Sequence, residues 1–140
     1  MVTEHIGDLL ESGCDIICQQ VNIFGVMGGS KEYLGYLKES FGDTLGEVIF
    51  VKNYIVNLHR TGICIANCFS QNEDGTTNYN AVEECFNQVK QYAHEQNYKT
   101  VGVPKKYGCG IAVGNWEKVK AILLNIFQDS DIDLQIWEKK

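Results

Sequence analysis

The sequence predicts a single α/β domain, a mixed sheet carrying helices on both faces. Three observations lead there. Apolar strand-like runs alternate with helix-period segments at both ends of the chain, three strand-like runs follow one another in the middle, and two glycine-bearing connections each join a strand to a helix. At 140 residues and 44% hydrophobic content the chain can close one core without metals or disulfides.

Val2 to Ile6 reads as a short strand, and Gly7-Asp8-Leu9-Leu10 as a turn or a single helical turn. Asp15 to Val21 is apolar and becomes polar at Gln19-Gln20, as a buried parallel strand does where it leaves its sheet. Tyr33, Leu34, Leu37 and Phe41 recur at helical spacing, which predicts a helix over Lys31 to Phe41 with Ser30 as its N-cap. Glu47 to Val51, Tyr54 to Leu58 and Ile63 to Phe69 are rich in β-branched and aromatic residues, and Lys52-Asn53 and Thr61-Gly62 divide them into three strands. Gln71 to Asn78 is a polar loop. A long helix between Tyr79 and Tyr98 carries Val82, Cys85, Phe86, Val89, Tyr92 and Ala93 on one face, with Thr77 as the candidate N-cap. Thr100 to Val103 is a strand and Pro104 to Gly114 a loop. Asn115 caps a helix with the stripe Val119, Ile122, Leu123, Ile126 and Phe127, and Ile132 to Trp137 is an alternating strand. The chain shows no internal repeat, linker or low-complexity tract.

A net charge of −6 and a pI near 5.0 exclude a protein that holds double-stranded nucleic acid by neutralising many phosphates. A small anion remains open, because backbone N–H groups bind one locally whatever the overall charge. No signal-peptide pattern and no membrane-length apolar run is present, so a cytoplasmic protein with no membrane partner is expected. Five of the six cysteines lie in apolar or amphipathic segments, which predicts free thiols in a core, not a disulfide framework or a metal site. Cys14 with Cys18, and Cys64 with Cys68, each have strand spacing that places a pair on one sheet face. Cys109 is the exception, between two glycines near a helix start. That position lowers a thiol pKa, whereas packing under the loop keeps it inert. His5, His59 and His94 fall on elements where ordinary surface or capping roles suffice.

The connection Gly25-Val26-Met27-Gly28-Gly29-Ser30 follows a strand, and Gly108-Cys109-Gly110-Ile111-Ala112-Val113-Gly114 follows another. Glycines at such junctions let the main chain approach a ligand and turn N–H groups to one point, beside a helix N-terminus that favours negative charge. Two such loops together suit a pyrophosphate. Neither has the spacing of a dinucleotide fingerprint or the Gly-Lys-Ser/Thr ending of a triphosphate loop. Asp8 reads either as a turn residue accepting backbone N–H groups or as an acceptor for a base amine. Lys105, Lys106 and Lys31 are candidate point charges for phosphate, and equally solvated surface lysines.

The segments "GDLLES", "DIICQQVNIFGVMG", "IANCFSQ", "TNYNAVEECF" and "VPKKYGCGIAVGNWEKV" occur in the order and spacing of macrodomains. The chain resembles their small single-domain branch, which includes proteins processing ADP-ribose-1''-phosphate and enzymes removing terminal ADP-ribose from glutamate. The resemblance runs from about Gly7 to Trp137 and implies a three-layer α/β/α fold with ADP-ribose as ligand and no cofactor. It implies that Asp8 and the backbone of Leu9 recognise adenine. Gly25, Val26, Met27, Gly28 and Gly29 would line the distal ribose and one side of the pyrophosphate, and Gly108, Cys109, Gly110, Ile111 and Ala112 the other side. Asn22 would sit near the distal ribose, Asn67 at a strand end facing the cleft and Tyr107 at the loop mouth.

Departures from the family pattern bear on chemistry. The first loop continues as Gly29-Ser30-Lys31-Glu32-Tyr33, polar where relatives run apolar, and Gln19 stands where bacterial relatives often have histidine. The lysine and aspartate of the glutamate-deglycosylating branch align with Asn67 and Ala112, neither of which attacks carbon or carries a proton. The expectation is therefore a monomeric binder of ADP-ribose, free or as a terminal group on an ADP-ribosylated protein. The alternatives are a hydrolase of protein-linked ADP-ribose or of ADP-ribose-1''-phosphate, acting through a water oriented by Asn22 or Gln20, and a scaffold whose first loop has closed.

Overall fold

A computed structural model describes residues 1–21, 45–54, 62–72, 74–109 and 114–140. One six-stranded sheet organises them, built from β1 (Val2–Ile6), β2 (Ile16–Val21), β3 (Val48–Tyr54), β4 (Ile63–Phe69), β5 (Thr100–Pro104) and β6 (Asp133–Glu138) in the order β1-β6-β5-β2-β4-β3. Every neighbouring pair is parallel except β3 with β4. The interior strand β4 is buried along its whole length and apolar except for Asn67, while β1 and β6 alternate.

Two helices, α1 (Tyr79–Gln96) and α2 (Trp116–Phe127), pack on one face of this sheet. Their stripes of Val82, Cys85, Phe86, Val89, Ala93, Val119, Leu123, Ile126 and Phe127 meet Ile16, Cys18, Cys64, Ala66 and Cys68. Phe86 lies at the centre, edge-on to Phe127 on one side and to Tyr107 on the other. A second core, of Cys14, Ile17, Val21, Ile63, Ile65 and Phe69 with Leu9 against it, occupies the opposite face. The helix expected over Lys31 to Phe41, which would cover that face, lies outside the described residues.

Local chemistry sets the boundaries. Asn78, not Thr77, caps α1: its side chain accepts from the Ala81 N–H at 2.9 Å. Thr77 is drawn away by a different partner, described below. Asn97, with φ of 59°, ends the helix and returns its N–H to Ala93 and His94. Asn115 caps α2 as expected, accepting from Glu117 N–H at 2.9 Å. The Asp15 carboxylate accepts from the N–H groups of Lys99 (2.7 Å) and Thr100 (3.1 Å), and its own N–H donates to Thr100 Oγ1, so the starts of β2 and β5 are tied together.

Two further expectations change. Lys52-Asn53 does not end a strand: β3 runs to Tyr54, and the polar pair coincides with a register shift between Val51 and Tyr54. Residues 55–58, read as the rest of a separate strand, lie outside the described residues. Cys14 and Cys18 fall in opposite cores, because β2 begins only at Ile16 and its two-residue alternation does not extend back to Cys14. Cys64 and Cys68 do share a face, and all six cysteines are free thiols, Cys109 alone not fully buried.

Candidate functional site

The parallel strands all end at one edge of the sheet, and the connections bearing the predicted site residues leave from that edge. Asp8 follows β1, Gln20 lies at the end of β2, Ser70 follows β4 and Tyr107 to Cys109 follow β5. Ligands of open α/β sheets bind outside this carboxyl edge, where the strand order changes direction. Here β2 and β5 share only the pairs Ile16–Val101 and Ile17–Gly102. Their carboxyl halves are not paired, and polar side chains stand beside that opening.

Gln20 is the hub. Its amide nitrogen donates toward Ser70 Oγ (3.1 Å), Thr77 Oγ1 (3.2 Å) and the Ser70 carbonyl (3.3 Å), and its oxygen accepts from Gln71 Nε2 at 3.0 Å. Both amide hydrogens are thus engaged, which leaves Gln20 only one carbonyl lone pair for a water. Ser70 Oγ also shares a 2.7 Å bond with the Tyr107 hydroxyl. Tyr107, expected at the loop mouth, is instead 2% exposed and packed on Phe86. Burial pushes its phenol far above the ordinary range, so it stays neutral and serves as the root of the loop.

From that root the chain makes two consecutive turns. Tyr107 N–H donates to the Pro104 carbonyl (3.1 Å) and Cys109 N–H to the Lys106 carbonyl (2.8 Å), which places Lys106 and Gly108 at the third positions. Both have positive φ, 65° and 72°. Gly108 carbonyl oxygen then accepts from Thr77 Oγ1 at 2.5 Å and from Gly114 N–H at 2.9 Å, joining the two ends of the glycine loop. Tyr79 on α1 accepts the N–H of Asn115, the first residue past the loop, at 2.8 Å.

These bonds narrow the expected anion cradle. Cys109 N–H and Gly114 N–H are consumed in building the loop, so neither is left to bind a ligand. Gly108 N–H makes no bond among the described residues, and Gly110, Ile111 and Ala112 lie outside them, as do Asn22, Gly25, Val26, Met27, Gly28 and Gly29. The Cys109 thiol is raised by burial, only partly offset by Lys106, and donates to the Tyr107 carbonyl at 3.2 Å. Lys105 is bound to Glu138 at 2.6 Å, whereas Lys106 is exposed.

Asp8 is exposed and accepts the Leu10 N–H at 2.9 Å through one carboxylate oxygen, capping the 3-10 turn Leu9–Glu11. The other oxygen has no partner among the described residues. Asn67 is placed differently from expectation. It is fully buried on the face opposite Gln20, with Gln19 Nε2 on its oxygen at 2.8 Å and its own amide on the Ile49 carbonyl at 3.2 Å. The strand alternation separates the two: Gln20 lies on the α1 side, Asn67 on the other. His5 stacks on Trp137 and His94 pairs with Asp131, so neither stands near the loop, and His59 lies outside the described residues. A groove of about 460 Å³ lined by Glu4, His5, Ile6, Lys105, Ile136 and Glu138 opens at the same edge; of the candidate residues it holds Lys105, which is paired with Glu138. Among the described residues no metal-binding cluster occurs and no helix is long and apolar enough to cross a membrane.

Sequence reasoning missed Ser70, Gln71 and Tyr79, and it misassigned Thr77. The signal for Ser70 was its place directly after a strand that is apolar but for Asn67. For Thr77 it was a second capping residue, Asn78, immediately following.

No protein-family model matches the chain, and no curated protein matches it with significance. Solved structures do. The macrodomain of Mycobacterium tuberculosis DarG superposes with a TM-score of 0.80 at 23% identity, over 98% of this chain and 97% of that one. A macrodomain protein from Streptomyces coelicolor gives 0.72 at 20% identity, over 98% of each chain. A Thermosipho africanus DarTG in complex with ADP-ribose gives 0.75 at 17% identity, over 97% of this chain and 41% of that longer one. With its parallel strands flanking one antiparallel edge, its helical layer and its loops gathered at the carboxyl edge, the chain has the macrodomain fold.

Proposed function

We propose that the chain binds ADP-ribose at the carboxyl edge of the sheet, as the free nucleotide or as a terminal group on a protein. The observation carrying this reading is the closed glycine loop: Gly108 and Gly114 are pinned together beside the β2–β5 opening, on a fold whose relative from Thermosipho africanus is in complex with ADP-ribose. In the proposed arrangement the pyrophosphate lies against the loop between those pins, and the exposed Asp8 carboxylate takes the adenine amine. A net-acidic protein can hold a diphosphate this way, because the donors are main-chain amides at the head of a helix and not cationic side chains.

Hydrolysis is the second reading, and no described residue favours it. Gln20 is engaged, Asn67 is sealed in the opposite core and Cys109 is a protonated thiol, so the water-orienting role would rest on Asn22. Calorimetric titration with ADP-ribose tests binding, and release of ADP-ribose from a modified glutamyl peptide tests turnover. Saturable heat without release is the expected pair of results. No heat at millimolar ADP-ribose would remove the proposal.

A further inference from the structure

We infer that Thr77 is a positioning residue for the glycine loop, a latch that sets the loop's closure without touching the ligand. Its side chain is 7% exposed and stands between two partners, accepting from Gln20 Nε2 at 3.2 Å and donating to the Gly108 carbonyl at 2.5 Å. Helix capping does not explain it, since Asn78 fills that position. Nor does packing alone. A valine would fill the same volume, but only a hydroxyl can accept from an amide and donate to a carbonyl at once.

The hydroxyl belongs to a larger grip. The segment from Ser70 to Tyr79 holds the loop at three heights: Ser70 on the Tyr107 hydroxyl at the root, Thr77 on the Gly108 carbonyl, and Tyr79 on the Asn115 N–H beyond the far end. That segment is itself braced. Asn72 and Asn78 bond to each other at 2.8 Å, Asn78 N–H bonds the Ser70 carbonyl at 2.8 Å, and Gln71 forms a bridge with Thr77. Of the three contacts, the one at Thr77 lands on the carbonyl that Gly114 also bonds, so it alone bears directly on the closure. Holding that carbonyl inward fixes the Gly108–Cys109 peptide plane, and with it where the loop departs. The ligand then meets a loop whose two ends are already joined, which reduces the ordering cost of binding.

The test uses Thr77→Val and Thr77→Ser in the full chain, read by amide exchange and by ADP-ribose titration. Thr77→Val should speed exchange at Gly114 while leaving Ala81 in α1 unchanged, and Thr77→Ser should restore wild-type exchange. This inference rests on the proposed ligand only for its second readout: Thr77→Val should weaken ADP-ribose about tenfold, the scale of one lost hydrogen bond, with Thr77→Ser recovering it. Unchanged exchange at Gly114 in Thr77→Val, or loss in Thr77→Ser equal to that in Thr77→Val, overturns the latch. A wild-type protein that ignores ADP-ribose defeats the proposed function instead, and the exchange result still decides the latch.

Discussion

At Gly114 a single methyl group would strike the backbone, because a Cβ there would lie 2.3 Å from the Gly108 carbonyl oxygen. No side-chain motion relieves such a contact. Gly108 is constrained differently: its φ is +72°, and a Cβ would approach Thr77 Oγ1 at 2.9 Å and Gln20 Nε2 at 3.1 Å. Either Gly→Ala change should break the closure, costing about 1–3 kcal/mol in denaturant unfolding and more than tenfold in ADP-ribose affinity. Lys106 offers the converse. It holds φ of 65° with a side chain that geometry penalises, so Lys106→Gly should leave melting temperature unchanged or raise it, with the relief on the order of 1 kcal/mol. A clear drop in melting temperature for Lys106→Gly would mean that its side chain contributes contacts this account omits. Asn67 supplies a third case. Because it is wholly buried and already hydrogen-bonded, Asn67→Lys should destabilise by several kcal/mol through burial of a charge and confer no ADP-ribosyl cleavage.

Among the elements, local rules and tertiary demands divide the outcome. Strands β2, β4, β5 and β6, and helices α1 and α2, were legible because each carries an uninterrupted period: 2 or continuous apolar for strands, 3.6 for helices. Asn115 was legible as a cap for the same reason. At Thr77-Asn78 two good capping residues adjoin, and local sequence cannot choose between them. The choice is made by the Gly108 carbonyl, which arrives from 31 residues away and takes the threonine. Lys52-Asn53 failed likewise, since two polar residues at a sheet edge are compatible with a strand that shifts register. The site was legible as a set of loops but not as a network. Gln20 read as a water-orienting amide and Tyr107 as a rim aromatic, yet both face inward, because the α1-side core reaches up to the loop. Asn78→Ala should therefore cost about 1 kcal/mol by loss of the α1 cap, with a smaller effect on loop exchange than Thr77→Val, since it also removes the Asn72 brace but leaves the Gly108 carbonyl bonded. Equal effects on the loop would erase the distinction drawn between these neighbours.

For the molecule as a whole, the core is unusually thiol-rich and its protonation has a consequence. Burial lifts Cys64 to about 11 from an ordinary value near 9.0. Cys68, surrounded by Cys18, Cys85 and Tyr107, and the Tyr107 phenol are raised well beyond their ordinary ranges, each first by burial. Groups with raised native pKa stabilise the fold fully below their unfolded pKa, and that contribution declines as pH rises toward the native value. Above about pH 9 for the thiols, and about pH 10 for the Tyr107 phenol, the unfolded chain releases protons that the native state keeps, so stability should fall by about 1.4 kcal/mol per pH unit for each such group. Urea unfolding at pH 8 and pH 10 measures this. Equal stability at the two values would place these thiols in contact with water.

The proposed function requires a working ligand edge, framed by Asp8 and by the closure of Gly108 on Gly114. Titration of the wild-type chain and of Gly114→Ala with ADP-ribose tests it most directly. Saturable one-to-one heat is expected for the wild type, with a loss of more than tenfold in affinity for a Gly114→Ala protein that remains folded. Absence of heat in the wild type, or equal affinity in the two proteins, would contradict it.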